Sequence, residues 1–337
     1  MALGQSFDRF ITVKVINSRG QWQANGLVPN LPQLFVQADI TKTISAAPNR
    51  ATVTIANLSD RQSGILAEDR PLADDFAQPF AFMDEKVSRG RVGASLITSQ
   101  LGLGYIEVRA GKFANPPLVF EGGIETSQTG RPQGHTKITT MRCSDGAASV
   151  AKGIANNHFG WRTPLVEVIK YLARVLGLTL DVPSLARAGL SDAFTQTSVD
   201  CSGNPHAILT QISRGFGVGY MIDDGEIVFL SKDGYRTDAP DIVRESDVIG
   251  EPLRRGPDLW RVRIKITAAP RIGNGVRVIH PQLNGTLRAD GLRYRLQNRG
   301  GAFEVMADLR NLDPLQSLTS TADAITDDDL ILSSGVV

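Results

Sequence analysis

Apolar and polar positions alternate along much of the first sixty residues. Over Phe10–Ile16, the residues Ile11, Val13 and Val15 share one phase of a period-two pattern and predict a strand. From Phe35 the chain reads FVQADITKTISAAPNRATVTIANLS. β-Branched residues crowd Arg50–Ile55, where Val53 and Ile55 alternate with Thr52 and Thr54. Pro48-Asn49 brings a fixed φ and a residue that tolerates tight turns, so this stretch predicts an antiparallel hairpin. Asn57-Leu58-Ser59 stops the second strand, and Ser59 or Asp60 can cap a short helix over Arg61–Ala67. Tyr105–Gly111, Leu118–Ile124 and Thr136–Cys143 add strands, with a turn-like piece over Ser127–Gly134. Strands in this number with one short helix predict a barrel or rolled sheet.

The period then changes. Thr163-Pro164 reads as a helix start, and Leu165, Val168, Ile169, Leu172, Val175 and Leu176 recur at helical spacing before Gly177. Asn204-Pro205 repeats the device, with Ile208, Leu209 and Ile212 as the buried stripe and Gly215 as the stop. A hairpin follows, Gly219–Ile222 and Ile227–Leu230 around Asp223-Asp224-Gly225. Strands return at Trp260–Ile266, Gly275–Ile279, Leu292–Leu296 and Phe303–Leu309.

The expected fold is therefore mainly β with an α+β insert. Residues 1–147 form a first β domain with a loop insertion at 71–103, and 148–240 a small helix/hairpin domain. Residues 241–318 form a second β domain, and 319–337 an extended tail. At 337 residues, more than one domain is expected. The insertion concentrates Phe76, Phe80, Phe82 and Met83 with no sustained period, so it either packs on its own domain or reaches a partner.

Composition removes several functions. Lys+Arg number 36 and Asp+Glu 35, a net charge of +1, which argues against a protein that grips nucleic acid through phosphates. No apolar run reaches about 18 residues, so no membrane insertion is expected. The N-terminus has no basic start with an apolar core, so no secretory signal is expected. Cys143 and Cys201 stand far apart outside any metal-binding spacing and read as buried thiols, with a disulfide as the alternative.

Candidate chemistry is sparse. His135, His158, His206 and His280 are isolated, and His206 reads as a solvated first-turn residue. Gly215–Gly219 follows a helix and precedes a strand, the reverse of a dinucleotide fingerprint. Asp223 and Asp224 read as turn residues. No catalytic residue, cofactor or metal is expected. Arg261, Arg263 and Lys265 share one strand face, read either as solvated or as a surface facing DNA or a neighbouring subunit.

Several of these stretches resemble the baseplate hub proteins of contractile-tailed bacteriophages, of the late control protein D kind. The words are Ile55-Ala56-Asn57-Leu58-Ser59 at the end of the first hairpin, Ala110-Gly111 closing a later strand, and Phe120-Glu121-Gly122-Gly123-Ile124. In the small domain Leu209, Ile212, Gly217, Ile222, Asp224, Gly225 and Ile227 occupy matching positions. The resemblance implies two tail-tube-like barrels per chain. It also implies a homotrimer whose six barrels join a six-fold tail tube to a three-fold spike. Tube, spike and tape-measure proteins are the implied partners, DNA passes without specific binding, and the chain resides at the virion tail tip. Competing readings are a tail-associated cell-wall hydrolase, a carbohydrate-binding module, or the distal tail protein of a non-contractile tail.

Overall fold

The computed structural model describes residues 9–17, 20–25, 34–59, 62–63, 66, 104–112, 116–131, 136–146, 154–195 and 197–312. Phe76, Phe80, Phe82, Met83 and the 319–337 tail lie outside these residues.

Seven strands make the first half: β1 (Phe10–Asn17), β2 (Gly20–Ala24), β3 (Val36–Thr43), β4 (Arg50–Ala56), β5 (Tyr105–Gly111), β6 (Leu118–Gly130) and β7 (Ile138–Ser144). The β3–β4 hairpin forms as the alternation predicts, with Val36 opposite Ile55 and Ile40 opposite Ala51. Asn49 locks its connection, accepting from Thr43 N at 3.0 Å through Oδ1. Ser59 Oγ accepts from Gln62 N at 3.2 Å, the expected cap.

Two features of this half depart from expectation. β2 pairs with β1, and Trp22 and Ala24 bury on the same face as Val13 and Val15. β6 runs on to Gly130 where a turn was expected. A bulge between Ile124 and Thr126 re-registers it on β7, and Thr129 and Thr139 hydroxyls bond across the pair at 3.0 Å.

The small module contains β8 (Ala155–Phe159), α1 (Leu165–Leu176), β9 (Thr179–Leu180), α2 (Val182–Arg187), β10 (Val199–Gly203), α3 (Pro205–Gly215), β11 (Val218–Asp223) and β12 (Glu226–Ser231). α1 buries Leu165, Val168, Ile169, Leu172 and Leu176, and Gly177 ends it with φ 65°. Its start differs from expectation. Pro164 is the cap residue and Thr163 Oγ1 donates instead to Gly160 O at 2.8 Å. Asn204 caps α3 as expected, its Oδ1 accepting from His206 N at 2.9 Å. α2 and the β8–β10 pair lie in stretches too short to show a period.

The second half comprises β13 (Asp241–Arg244), β14 (Leu253–Arg254), β15 (Leu259–Lys265), β16 (Gly275–His280), β17 (Leu283–Gln297) and β18 (Phe303–Arg310). β17 is far longer than the Leu292–Leu296 segment that alternates most clearly. Its first part pairs β16 and its second pairs β3. That last pairing joins the halves into one 13-stranded sheet, ordered β14-β15-β18-β17-β3-β4-β7-β6-β5-β1-β2 with β16 and β13 branching from β17. One apolar core runs beneath it from Ile11 to Leu309.

The β11–β12 hairpin belongs to two cores at once. Met221, Val228 and Leu230 enter the main core, while Tyr220, Ile222, Ile227 and Phe229 close over the helices. Period-two alternation thus welds the module to the sheet. Among the described residues, no helix is long and apolar enough to cross a membrane. Cys143 and Cys201 are free and buried, so the disulfide alternative falls.

Candidate functional site: a buried charge cluster and an arginine-rich sheet face

Lys42 lies in phase with Val36, Ala38 and Ile40 on β3, so the strand carries it into the interior, where it is 4% exposed. There it meets the turn of the β11–β12 hairpin. Lys42 Nζ donates to Asp223 Oδ1 at 2.7 Å and to Asp224 Oδ2 and Oδ1 at 2.8 and 2.9 Å. Arg236 Nη1 takes the other oxygen of Asp223 at 2.6 Å, and its Nη2 reaches Glu226 at 2.9 Å. Asp224 sits at φ 50°, which turns its carboxylate back toward the sheet, where its Oδ1 accepts from Glu121 N at 3.1 Å. Asn49 adds a neutral link, donating from Nδ2 to Ile222 O at 2.8 Å.

Electrostatics follow from this geometry. Burial alone would lower the Lys42 pKa, but Asp223 and Asp224 outweigh it and hold the ammonium well above its ordinary value. Burial would raise Asp223, yet Lys42 and Arg236 together hold it below the usual carboxylate range. Asp224 is raised, because burial outweighs its single cationic partner. Burial pushes the Tyr294 phenol, beside Lys42, up to about 12.

A cavity of about 410 Å³ adjoins the cluster, lined by Lys42, Asp224, Glu226, Arg236, Arg271 and Tyr294 among others. Oxygens of Asp145, Asp223 and Asp224 lie within 4.8 Å of one another, a spacing that suits a cation. The Lys42 ammonium already serves Asp223 and Asp224, so the chain supplies its own cation. The chemistry of the cluster is that of a staple between β3 and the small module.

Asp223 and Asp224 do occupy the predicted hairpin tip, and there they are also ion-pair partners of Lys42 and Arg236. The signal was available: a lysine in the buried phase of a strand requires a carboxylate elsewhere in the chain. His206 departs from expectation. It is half-buried, with Nε2 3.0 Å from Ala46 O and its ring edge-on to Tyr220, centroids 5.8 Å apart.

The second feature is the outer face of the sheet. Arg261 Nε and Nη2 bind Asp308 at 2.7 and 2.9 Å, and Arg263 Nη2 binds Glu304 at 2.6 Å. Lys265 Nζ donates to Ser246 O. Directly opposed residues in antiparallel strands share a face, and register extends this stripe across the molecule. One row runs Arg263, Met306, Arg293, Thr41, Arg50; the next runs Lys265, Glu304, Arg295, Asp39, Thr52, Arg142. Arg50, Arg142, Arg293 and Arg295 are exposed. The strands β15 to β7 in these rows span roughly 25 Å at the usual strand spacing. Sequence reasoning found the β15 members and missed the rest, because the others are scattered over five strands.

An antiparallel sheet of this size with an inserted α/β module is the fold of phage tail proteins. The chain belongs to the baseplate hub gp41 family, whose sequence profile matches residues 27–309. It is similar in fold to the 43 kDa tail protein of prophage MuSo2 from Shewanella oneidensis, at TM-score 0.54 and 10% identity over 91% of this chain and 99% of that one. A tail protein from Neisseria meningitidis MC58 gives 0.50 at 11% identity, over 92% and 98%. The E. coli c3393 protein, a component of the type VI secretion system, gives 0.50 at 9% identity, over 86% and 76%. No curated protein matches the chain in sequence. The family is a structural component of the phage tail and its baseplate.

Proposed function

We propose that the chain is the subunit of a homotrimeric hub at the tail tip, joining a six-fold tail tube to a three-fold spike around a passage for DNA. The observation that carries the reading is the pairing of β3 with β17, Gly291 opposite Thr43 through Gln297 opposite Gln37. A hub must transmit force between tube and spike without its halves shearing. One hydrogen-bonded sheet through both halves meets that need, because sliding it would break a whole ladder at once. Three such chains place six β units around a three-fold axis, which reconciles the two symmetries.

In this reading residues 1–147 and 241–318 supply the two tube-like barrels, 148–240 the small domain, and 319–337 a tail. The arginine-rich face is the wall past which DNA moves, and its phosphate contacts are loosened by Asp39, Glu304 and Asp308 interspersed among the bases. The role is mechanical rather than enzymatic: of the three carboxylates drawn together at the hairpin tip, Asp223 and Asp224 are bound to Lys42 and Arg236. Tube, spike and tape-measure proteins of the same particle are the partners.

Co-expression with the tube and spike proteins of its own particle tests the reading. One complex containing all three is expected, and a chain that captures neither contradicts it.

A further inference from the structure

Asp145, immediately after β7, is 1% exposed. Its N–H donates to Asn49 O at 2.9 Å, and its Oδ1 accepts from Gly225 N at 2.9 Å, in the turn of the β11–β12 hairpin. Its other oxygen, Oδ2, is buried and has no hydrogen-bond partner among the described residues. Asp223 and Asp224 face it from that turn, with oxygens within 4.8 Å. Lys42 faces it from β3, but the short contacts of that ammonium go to Asp223 and Asp224. Arg236 lies on the far side of Asp223, shared with Glu226, and Tyr294 of β17 is buried beside Lys42.

The charges do not balance if every group is ionised. Among the described residues, Asp145, Asp223 and Asp224 would oppose Lys42 and Arg236, with Glu226 and the buried Glu121, whose carboxylate lies near Gly225, beside them. An unpaired anion in such a place is strongly disfavoured. Either a further cation or a proton must be present. A hard divalent ion wants six or more oxygen ligands, and those of Asp223 and Asp224 are taken by the ammonium and the guanidinium. A proton needs one oxygen, and Oδ2 is free to carry it.

We propose that Asp145 is kept as the neutral carboxylic acid, and that its proton latches the turn of the small module to the sheet. The module docks while the proton is present and loosens as rising pH removes it. Burial first, then Asp224 and Asp223, push this carboxyl well above the ordinary carboxylate range, against the lesser opposing pull of Lys42 and the Gly225 N–H. Because the folded value is the raised one, the contribution to stability is complete below the unfolded value near about 4. It is lost as pH rises through the folded value.

The test compares the full chain with Asp145→Asn, whose amide copies the shape and neutrality of the acid. Denaturant unfolding is measured from pH 4 upward. Between the two pKa values, the folding constant of the native chain should fall by about tenfold per pH unit relative to the variant. Infrared difference spectra at neutral pH should show a protonated-carboxyl band in the native chain that Asp145→Asn lacks, a readout that holds even if the variant folds poorly. Parallel pH profiles overturn the proposal, as does absence of the band. A melting temperature that drops on adding EDTA would assign the charge to a bound metal instead, and equally overturns it.

Discussion

Lys42 and Asp223 meet at 2.7 Å across 181 residues of sequence, both nearly excluded from solvent. This contact ties the β3–β4 hairpin to the tip of the β11–β12 hairpin of the small module. A buried pair of this kind adds less to stability than its geometry suggests, because both ions lose their hydration. Its worth is in fixing where the module sits.

Removing one partner is therefore costly. Lys42→Met should destabilise the protein by about 3–5 kcal/mol, because Asp223 and Asp224 would remain buried without their shared cation. Denaturant unfolding measures the loss. Adding Asp224→Asn to Lys42→Met should recover part of it, whereas additive losses would show that the two residues do not interact.

Acid also weakens the same cluster, through a different carboxyl from the one that alkali acts on. Asp223 is held below its ordinary value, so its contribution is present above the unfolded value near about 4 and lost as pH falls through the folded one. The stability of Asp223→Asn to denaturant should fall less steeply with decreasing pH than that of the native chain. Equal slopes would place the acid-sensitive groups elsewhere.

Close backbone approach gives a prediction about the first half. A Cβ at Gly122 would lie 2.6 Å from Ser144 O and 2.9 Å from both Ser144 C and Phe120 Cζ. Ser144 is held in the β4–β7–β6 ladders and cannot yield freely. Gly122→Ala should cost about 1–3 kcal/mol, seen as a lower denaturant midpoint at unchanged slope.

The arginine rows should respond differently. Neutralising Arg50, Arg142 and Arg293 to Gln should move stability by no more than about 0.5 kcal/mol each, since exposed positions contribute little. Particle assembly or genome delivery should fall more clearly. Normal particles with normal infectivity would mark the face as solvated surface.

Much of the fold was legible because alternation and helix periodicity are local. The β3–β4 hairpin, α1 with Gly177 and α3 with Asn204 all follow from adjacent residues. The β3–β17 pairing was not legible, since nothing in QADITKT or GLRYRLQ names the other as its partner. Lys42 shows the intermediate case: its phase on β3 placed it inside, but its carboxylates lie on a hairpin far along the chain. α2 escaped because its six residues carry too little period to separate from a loop.

The central claim is a three-fold ring, and solution mass by light scattering tests it most directly, with and without the spike protein of the same particle. The hub account predicts a species near three times 36.4 kDa, alone or once the spike's own mass is subtracted. A chain that stays monomeric under both conditions would contradict it.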